Sequence, residues 1–159
     1  MGRNPRSYHP DGIYHLTAHG IDDWAIFRDD IDRQEFCLRF ARVVRGEGWL
    51  IYAASLMDTH YHVLVSPNGG SVPDGMRELN GGYSKAFNAR HGRRGALFES
   101  RYRDWTIRDE AHFQRTVVYI EHNPVTGGLV ESLDDWIWTT AHENSPLRVS
   151  DTWRDRPAA

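Results

Sequence analysis

Residues 49–66 read WLIYAASLMDTHYHVLVS, two apolar runs (49–57 and 60–66) parted by Asp58-Thr59. Branched and aromatic runs of that length around a polar pair spell an antiparallel hairpin. Upstream, residues 13–19, IYHLTAH, alternate. Tyr14, Leu16 and Ala18 fall on one face and His15, Thr17 and His19 on the other, a strand with a polar side. Between these strands a helix over about 30–46 enters through Asp29/Asp30, carries Phe36, Phe40, Val43 and Val44 on one stripe, and stops at Gly46 and Gly48. Beyond the hairpin, Val72, Met76, Leu79, Tyr83 and Phe87 recur every three or four residues and predict a helix over about 72–90. Gly81-Gly82 inside it costs about 1 kcal/mol per glycine and points to a close approach or a kink. A short strand over 101–107 follows. The order β–α–β–β–α–β is the ferredoxin-like split β-α-β pattern: an α+β fold with an antiparallel sheet, helices on one face, and the first and third strands central. A further helix begins at Asp109, turns Phe113, Val117 and Ile120 inward, and is expected to end at Asn123, before Pro124.

The 159 residues suit one domain. We expect a flexible tail over 1–11, a domain over 12–142 and a frayed tail over 143–159. With 40 % hydrophobic residues, six Trp, seven Tyr and six Phe, a core is well supplied and wholesale disorder is excluded. No apolar run approaches the ~18 residues of a membrane span, and no apolar segment follows Arg3 and Arg6 as in a signal peptide. One cysteine, Cys37, cannot form an internal disulfide, which fits a cytoplasmic protein. The net charge of −3 speaks against a nucleic-acid partner only until it is divided. Residues 77–108 hold seven Arg and Lys85 against Glu78, Glu99 and Asp104, a local +5. Aromatic residues are interleaved there, as a phosphate backbone with unstacked bases requires. An ordinary solvated arginine face gives the same count.

Alternation puts His60 and His62 on one face of the third strand, roughly 6–7 Å apart along it. Two convergent imidazoles suit a divalent metal, although His-x-His is short and common, and strand histidines bonded to neighbours are the plainer reading. At about 100° per residue, Tyr119 and Asn123 share a flank of the last helix, within reach of a sheet site. An amphipathic rim tyrosine is the plainer reading there.

Several stretches together are more specific. LMDTHYHVLVS, YIEHNPVTGGLV, IYHLTAHG, IFRDD and LNGGYSKAFNARHGRRGALFESRYR occur in order over about residues 12–142. With them the sequence resembles the HUH-motif tyrosine (Y1) transposases of the IS200 type, and within these the branch associated with repetitive extragenic palindromes (REP). The resemblance implies a metal-dependent single-stranded DNA endonuclease and strand transferase acting on hairpin-forming DNA. His60 and His62 would hold a divalent cation (Mg²⁺ or Mn²⁺), and Asn123 would complete the site, with His122 as the other choice. Tyr119 would attack the scissile phosphate, forming a 5′-phosphotyrosine and releasing a 3′-hydroxyl. Such neutral, partly nitrogen ligation suits Mn²⁺ at least as well as Mg²⁺. A phenol ionises near pH 10, so a cation must favour the phenolate; Arg115, one turn earlier, is a conceivable helper but reads as a solvated helix residue. Single-stranded or hairpin DNA is the expected partner, with Tyr83, Lys85, Arg90, Arg93, Arg94, Arg101 and Arg103 as contacts. His19 and His122 depart from the family's usual residues and are expected to face solvent. The short link over 107–109 favours a monomer over a swapped homodimer. The alternatives are a non-catalytic hairpin DNA- or RNA-binding module and a metal phosphodiesterase that uses water.

Overall fold

The computed structural model describes residues 6–149, 152 and 153. In chain order the elements are β1 (Tyr14–His19), α1 (Asp30–Glu47), β2 (Leu50–Leu56), β3 (His60–Ser66), α2 (Val72–His91), β4 (Arg103–Thr106) and α3 (Glu110–Thr126), with 3-10 turns at Ile21–Asp23 and Leu133–Asp135. The strands form one antiparallel sheet in the order β2-β3-β1-β4, the ferredoxin-like arrangement.

Side-chain caps fix where the helices begin. The carboxylate of Asp29 accepts from Asp32 N, Ser71 Oγ from Asp74 N, and Asp109 Oδ1 from His112 N. Gly48 (φ 76) and Gly92 (φ 61) close α1 and α2 in the left-handed region. Helices α1 and α2 pack together on one face of the sheet, where Phe36, Phe40, Val44, Leu79 and Tyr83 join Leu16, Tyr61 and Val63 in the main core. Gly75 lets α2 lie on Trp49: a Cβ there would stand 2.3 Å from the indole. Of the two adjacent helical glycines, Gly82 makes room for Arg39, whose Nη1 lies 2.7 Å from where a Cβ would be, while Gly81 faces open space.

Helix α3 lies on the opposite face, and Phe113, Val117 and Ile120 pack on Ala53 and Leu64. It does not stop at Asn123 but continues through Pro124 to Thr126. Proline removes only the N–H that would reach Ile120 O, and the ladder resumes beyond it with Gly127 N donating to Asn123 O (2.7 Å), while Thr139 Oγ1 adds a bond to Glu121 O (2.9 Å).

Both expected tails pack against the body where they are described. Tyr8 donates to Asp104 (2.6 Å) and Arg6 pairs with the same carboxylate (3.5 Å), while Leu147 and Val149 are buried in the core and Ile51 N donates to Thr152 O. Apolar side chains and hydrogen-bond partners at the sheet edges contact these segments there. The rest of those tails, including Arg3, lies outside the described residues. No helix among the described residues is long and apolar enough to cross a membrane.

Candidate active site

Register places the polar side chains of three strands on one face. His19 pairs with His60 and Thr17 with His62 across β1–β3, while Trp105 pairs with His15 and Arg103 with Thr17 across β1–β4. Directly opposed residues point the same way. Because α3 lies over β2 and β3, it leaves an open cleft of about 520 Å³ above β1 and β4. The sheet supplies its floor. Tyr119, Thr116, Arg115 and His112 of α3 form its far wall.

The rings of His60 and His62 lean together, with centroids 4.9 Å apart. Each has its Nδ1 engaged: that of His60 with Thr59 Oγ1 at 3.0 Å, that of His62 with His15 Nε2 at 2.9 Å. Both therefore have Nε2 left for a ligand. His62 Nε2 is buried with no hydrogen-bond partner, and so are Thr17 Oγ1 and Ser55 Oγ on the same rung of the sheet. Leaving such an atom unpaired costs about 1–3 kcal/mol, which marks the rung as built for a polar occupant. Burial holds the imidazoles neutral. It lowers His60 to about 4, with His19 adding to the effect, and lowers His15 to about 4, with His112 adding. His62 is pushed still further down by burial and by its histidine neighbours. Neutral imidazole is the form that ligates metals. Among the described residues no group of three His, Cys, Asp or Glu side chains converges as a metal cage. The two imidazole nitrogens are by themselves only part of a donor set for a divalent cation.

Tyr119 is half-exposed, and its ring stands edge-on to His62 (5.5 Å) and His15 (6.1 Å). Arg115 is exposed, as expected, yet it lines the cleft one turn before Tyr119. Asn123 is half-buried and His122 exposed, and neither lines the cleft. His19 does not simply face solvent: its ring stacks on that of His60, 4.6 Å away and 9° from parallel.

Of the residues expected to contact DNA, only Arg103 lines this cleft, where it also pairs with Glu99 at 3.3 Å. Tyr83 must be corrected. It is fully buried under α1, its hydroxyl donates to Ile26 O, and no base can reach it. Arg90 is committed to Asp29 and Asp32 (2.6 Å each), an ion-paired lock between α2 and α1 that leaves little charge for a phosphate. Arg93 is turned onto Asn88 Oδ1 and Ala96 O. Lys85 is exposed on α2, on the far face of the sheet, while Arg94 is exposed in the loop before β4. Arg101 is half-buried beside Met76 and Arg77 of α2. The sequence reading missed His15, Trp105 and His112 as site residues. The alternation of β1 and β4 is the available signal for His15 and Trp105, while His112 lies on α3 and has none.

The family model described as "Transposase IS200 like" matches residues 10–123, which span all the strands, α1, α2 and Tyr119. The chain belongs to the IS200-like transposase family. No curated protein sequence matches it. Among solved structures it is similar to a REP-associated tyrosine transposase bound to a REP hairpin, with 21 % identity and a TM-score of 0.70 over 100 % of this chain and 94 % of that one. It is also similar to a candidate transposase from Deinococcus radiodurans R1, with 16 % identity and a TM-score of 0.51 over 72 % of this chain and 93 % of that one. These likenesses carry the fold. The four-stranded antiparallel sheet with its helices is the fold of the REP-associated transposase structure.

Proposed function

We propose that this IS200-like transposase is a metal-dependent single-stranded DNA endonuclease and strand transferase that acts on hairpin-forming DNA of the REP type. What carries the reading is one juxtaposition: the half-exposed Tyr119 ring stands 5.5 Å from His62, whose buried Nε2 lacks a partner. His60 and His62 would hold the cation through their Nε2 atoms, with Asn123 or His122 as the further donor. The cation, Mg²⁺ or Mn²⁺, supplies charge neutralisation on the phosphoryl oxygens. His15 accepts from His62 Nδ1–H and so keeps the lone pair on Nε2. Arg115 and Arg103 draw the phosphate into the cleft. Tyr119 Oη attacks phosphorus as its proton passes to solvent; the P–O3′ bond breaks, O3′ takes up a proton, and the 5′-phosphate stays on the tyrosine. That ester keeps the energy needed to rejoin the strand. Because α3 packs on β2 and β3 of its own chain, Tyr119 faces the histidines of its own subunit, which supports a monomer acting in cis. The test is to incubate the protein with end-labelled hairpins from the DNA flanking its gene plus Mn²⁺. A labelled band that survives denaturing electrophoresis with protein attached is expected. Cleavage without an attached product would favour water as the nucleophile, and binding without cleavage a non-catalytic module.

A further inference from the structure

Trp105 stands exposed on the cleft wall. It sits on the edge strand β4, is 47 % exposed, and packs one side of its indole against His15 while the rest of the ring faces the cleft. Edge strands ordinarily avoid such residues, because an exposed aromatic beside unpaired backbone invites aggregation. Arg103, two residues earlier on the same face, brings a guanidinium to the same wall. His15 connects this pair to the chemistry, with its ring centroid 5.1 Å from Trp105 and 5.2 Å from His62. An aromatic platform beside a cation is the combination by which proteins hold single-stranded nucleic acid.

We propose that Trp105 and Arg103 form a nucleotide subsite on β4, in which a base next to the scissile phosphate stacks on the indole and its phosphate meets the guanidinium. The subsite rests on the reading of the cleft as a DNA-cleaving centre. It is independent of the metal and of Tyr119 chemistry. Stacking on a ring face is tolerant of base identity, so the subsite orients the strand without reading its sequence. It fixes one nucleotide so that the phosphate beside it lies over His60 and His62. Bound from this edge, the strand crosses β1 toward β3, perpendicular to the sheet's own strands.

The experiment is fluorescence anisotropy with 5′-fluorescein oligothymidylate, dT20, in 50 mM salt and EDTA, so that no metal and no cleavage intervene. Trp105→Ala is expected to weaken binding about 5- to 150-fold and Trp105→Phe much less. Arg103→Gln should reduce the slope of log Kd against log salt by about 0.7. Wild-type protein irradiated with dT20 carrying 5-iododeoxyuridine should cross-link at Trp105, as located by mass spectrometry, a readout that needs no variant. Unchanged affinity in Trp105→Ala, cross-links only elsewhere, or no binding of dT20 by the wild type would each overturn the subsite. The hairpin adduct assay separates the two ideas. Adducts without Trp105 coupling refute the subsite alone, whereas Trp105 coupling without adducts leaves a strand-binding cleft and refutes the chemistry.

Discussion

Replacing His15 by Phe tests whether His15 keeps a lone pair on His62 Nε2 for the proposed cation. The contact between His15 Nε2 and His62 Nδ1 is 2.9 Å, and it has room for one proton. If His62 donates, its Nε2 is a free acceptor; if His15 donates, His62 must carry its proton on Nε2 and cannot ligate. A phenyl ring fills the space between Trp105 and Tyr119 but accepts nothing. His62, only 4 % exposed, would then have to bury an unsatisfied N–H in order to present Nε2. That costs about 1–3 kcal/mol, a loss of roughly 5- to 150-fold in cation affinity. The range agrees with the 10- to 100-fold typical when a ligand histidine loses its partner. His15→Gln restores an acceptor and should recover most of the loss. The assay is Mn²⁺ titration followed by electron paramagnetic resonance of the free ion, without DNA, on variants whose circular dichroism matches the wild type. Equal affinity in His15→Phe and wild type would refute the reasoning, and a wild type that binds no Mn²⁺ would refute the ligand assignment itself.

Other outcomes follow from the fold. Gly75→Ala puts a methyl 2.3 Å from an indole that is itself fully buried, so it should destabilise the protein by about 1–3 kcal/mol in urea unfolding. Cys37 is buried and its thiol is pushed up to about 12, so iodoacetamide at pH 8 should label it only in denaturant. Since the unfolded thiol ionises first, stability should also fall as pH rises above about 9. Arg90→Ala should lower the unfolding midpoint by freeing the buried Asp32 carboxylate of one partner, yet leave the salt dependence of dT20 binding unchanged, which sets it apart from Arg103→Gln.

The strands and the α1–α2 core were legible because alternation and three-four spacing are local signals. Tyr14/Leu16/Ala18 against His15/Thr17/His19 alone oriented β1. The helix runs past Pro124 although the sequence marks an end there, because the packing of α3 on β2 and β3, with the Thr139 contact to Glu121 O, outweighs one lost ladder bond. A tertiary contact of that kind leaves no mark near the proline. Tyr83 and Arg90 were misread for a related reason. Local charge and aromatic content mark the 77–108 segment as basic, but they do not tell which of its residues the α1–α2 interface consumes. Conversely, Trp105 and His15 gain meaning only when β4 pairs with β1, a contact that spans most of the chain. The His60–His62 pair and Tyr119 were visible as residues, whereas their 5.5 Å approach is a product of the fold.

In the proposed reaction Tyr119 joins covalently to the 5′ side of a cleaved single strand. Mass spectrometry of peptides from the wild-type protein, after reaction with a flanking-gene hairpin and Mn²⁺, should find the nucleotide on Tyr119 through a 5′-phosphate. Tyr119→Phe should yield none. A nucleotide on another residue, or a Tyr119→Phe protein that still cleaves, would contradict the account.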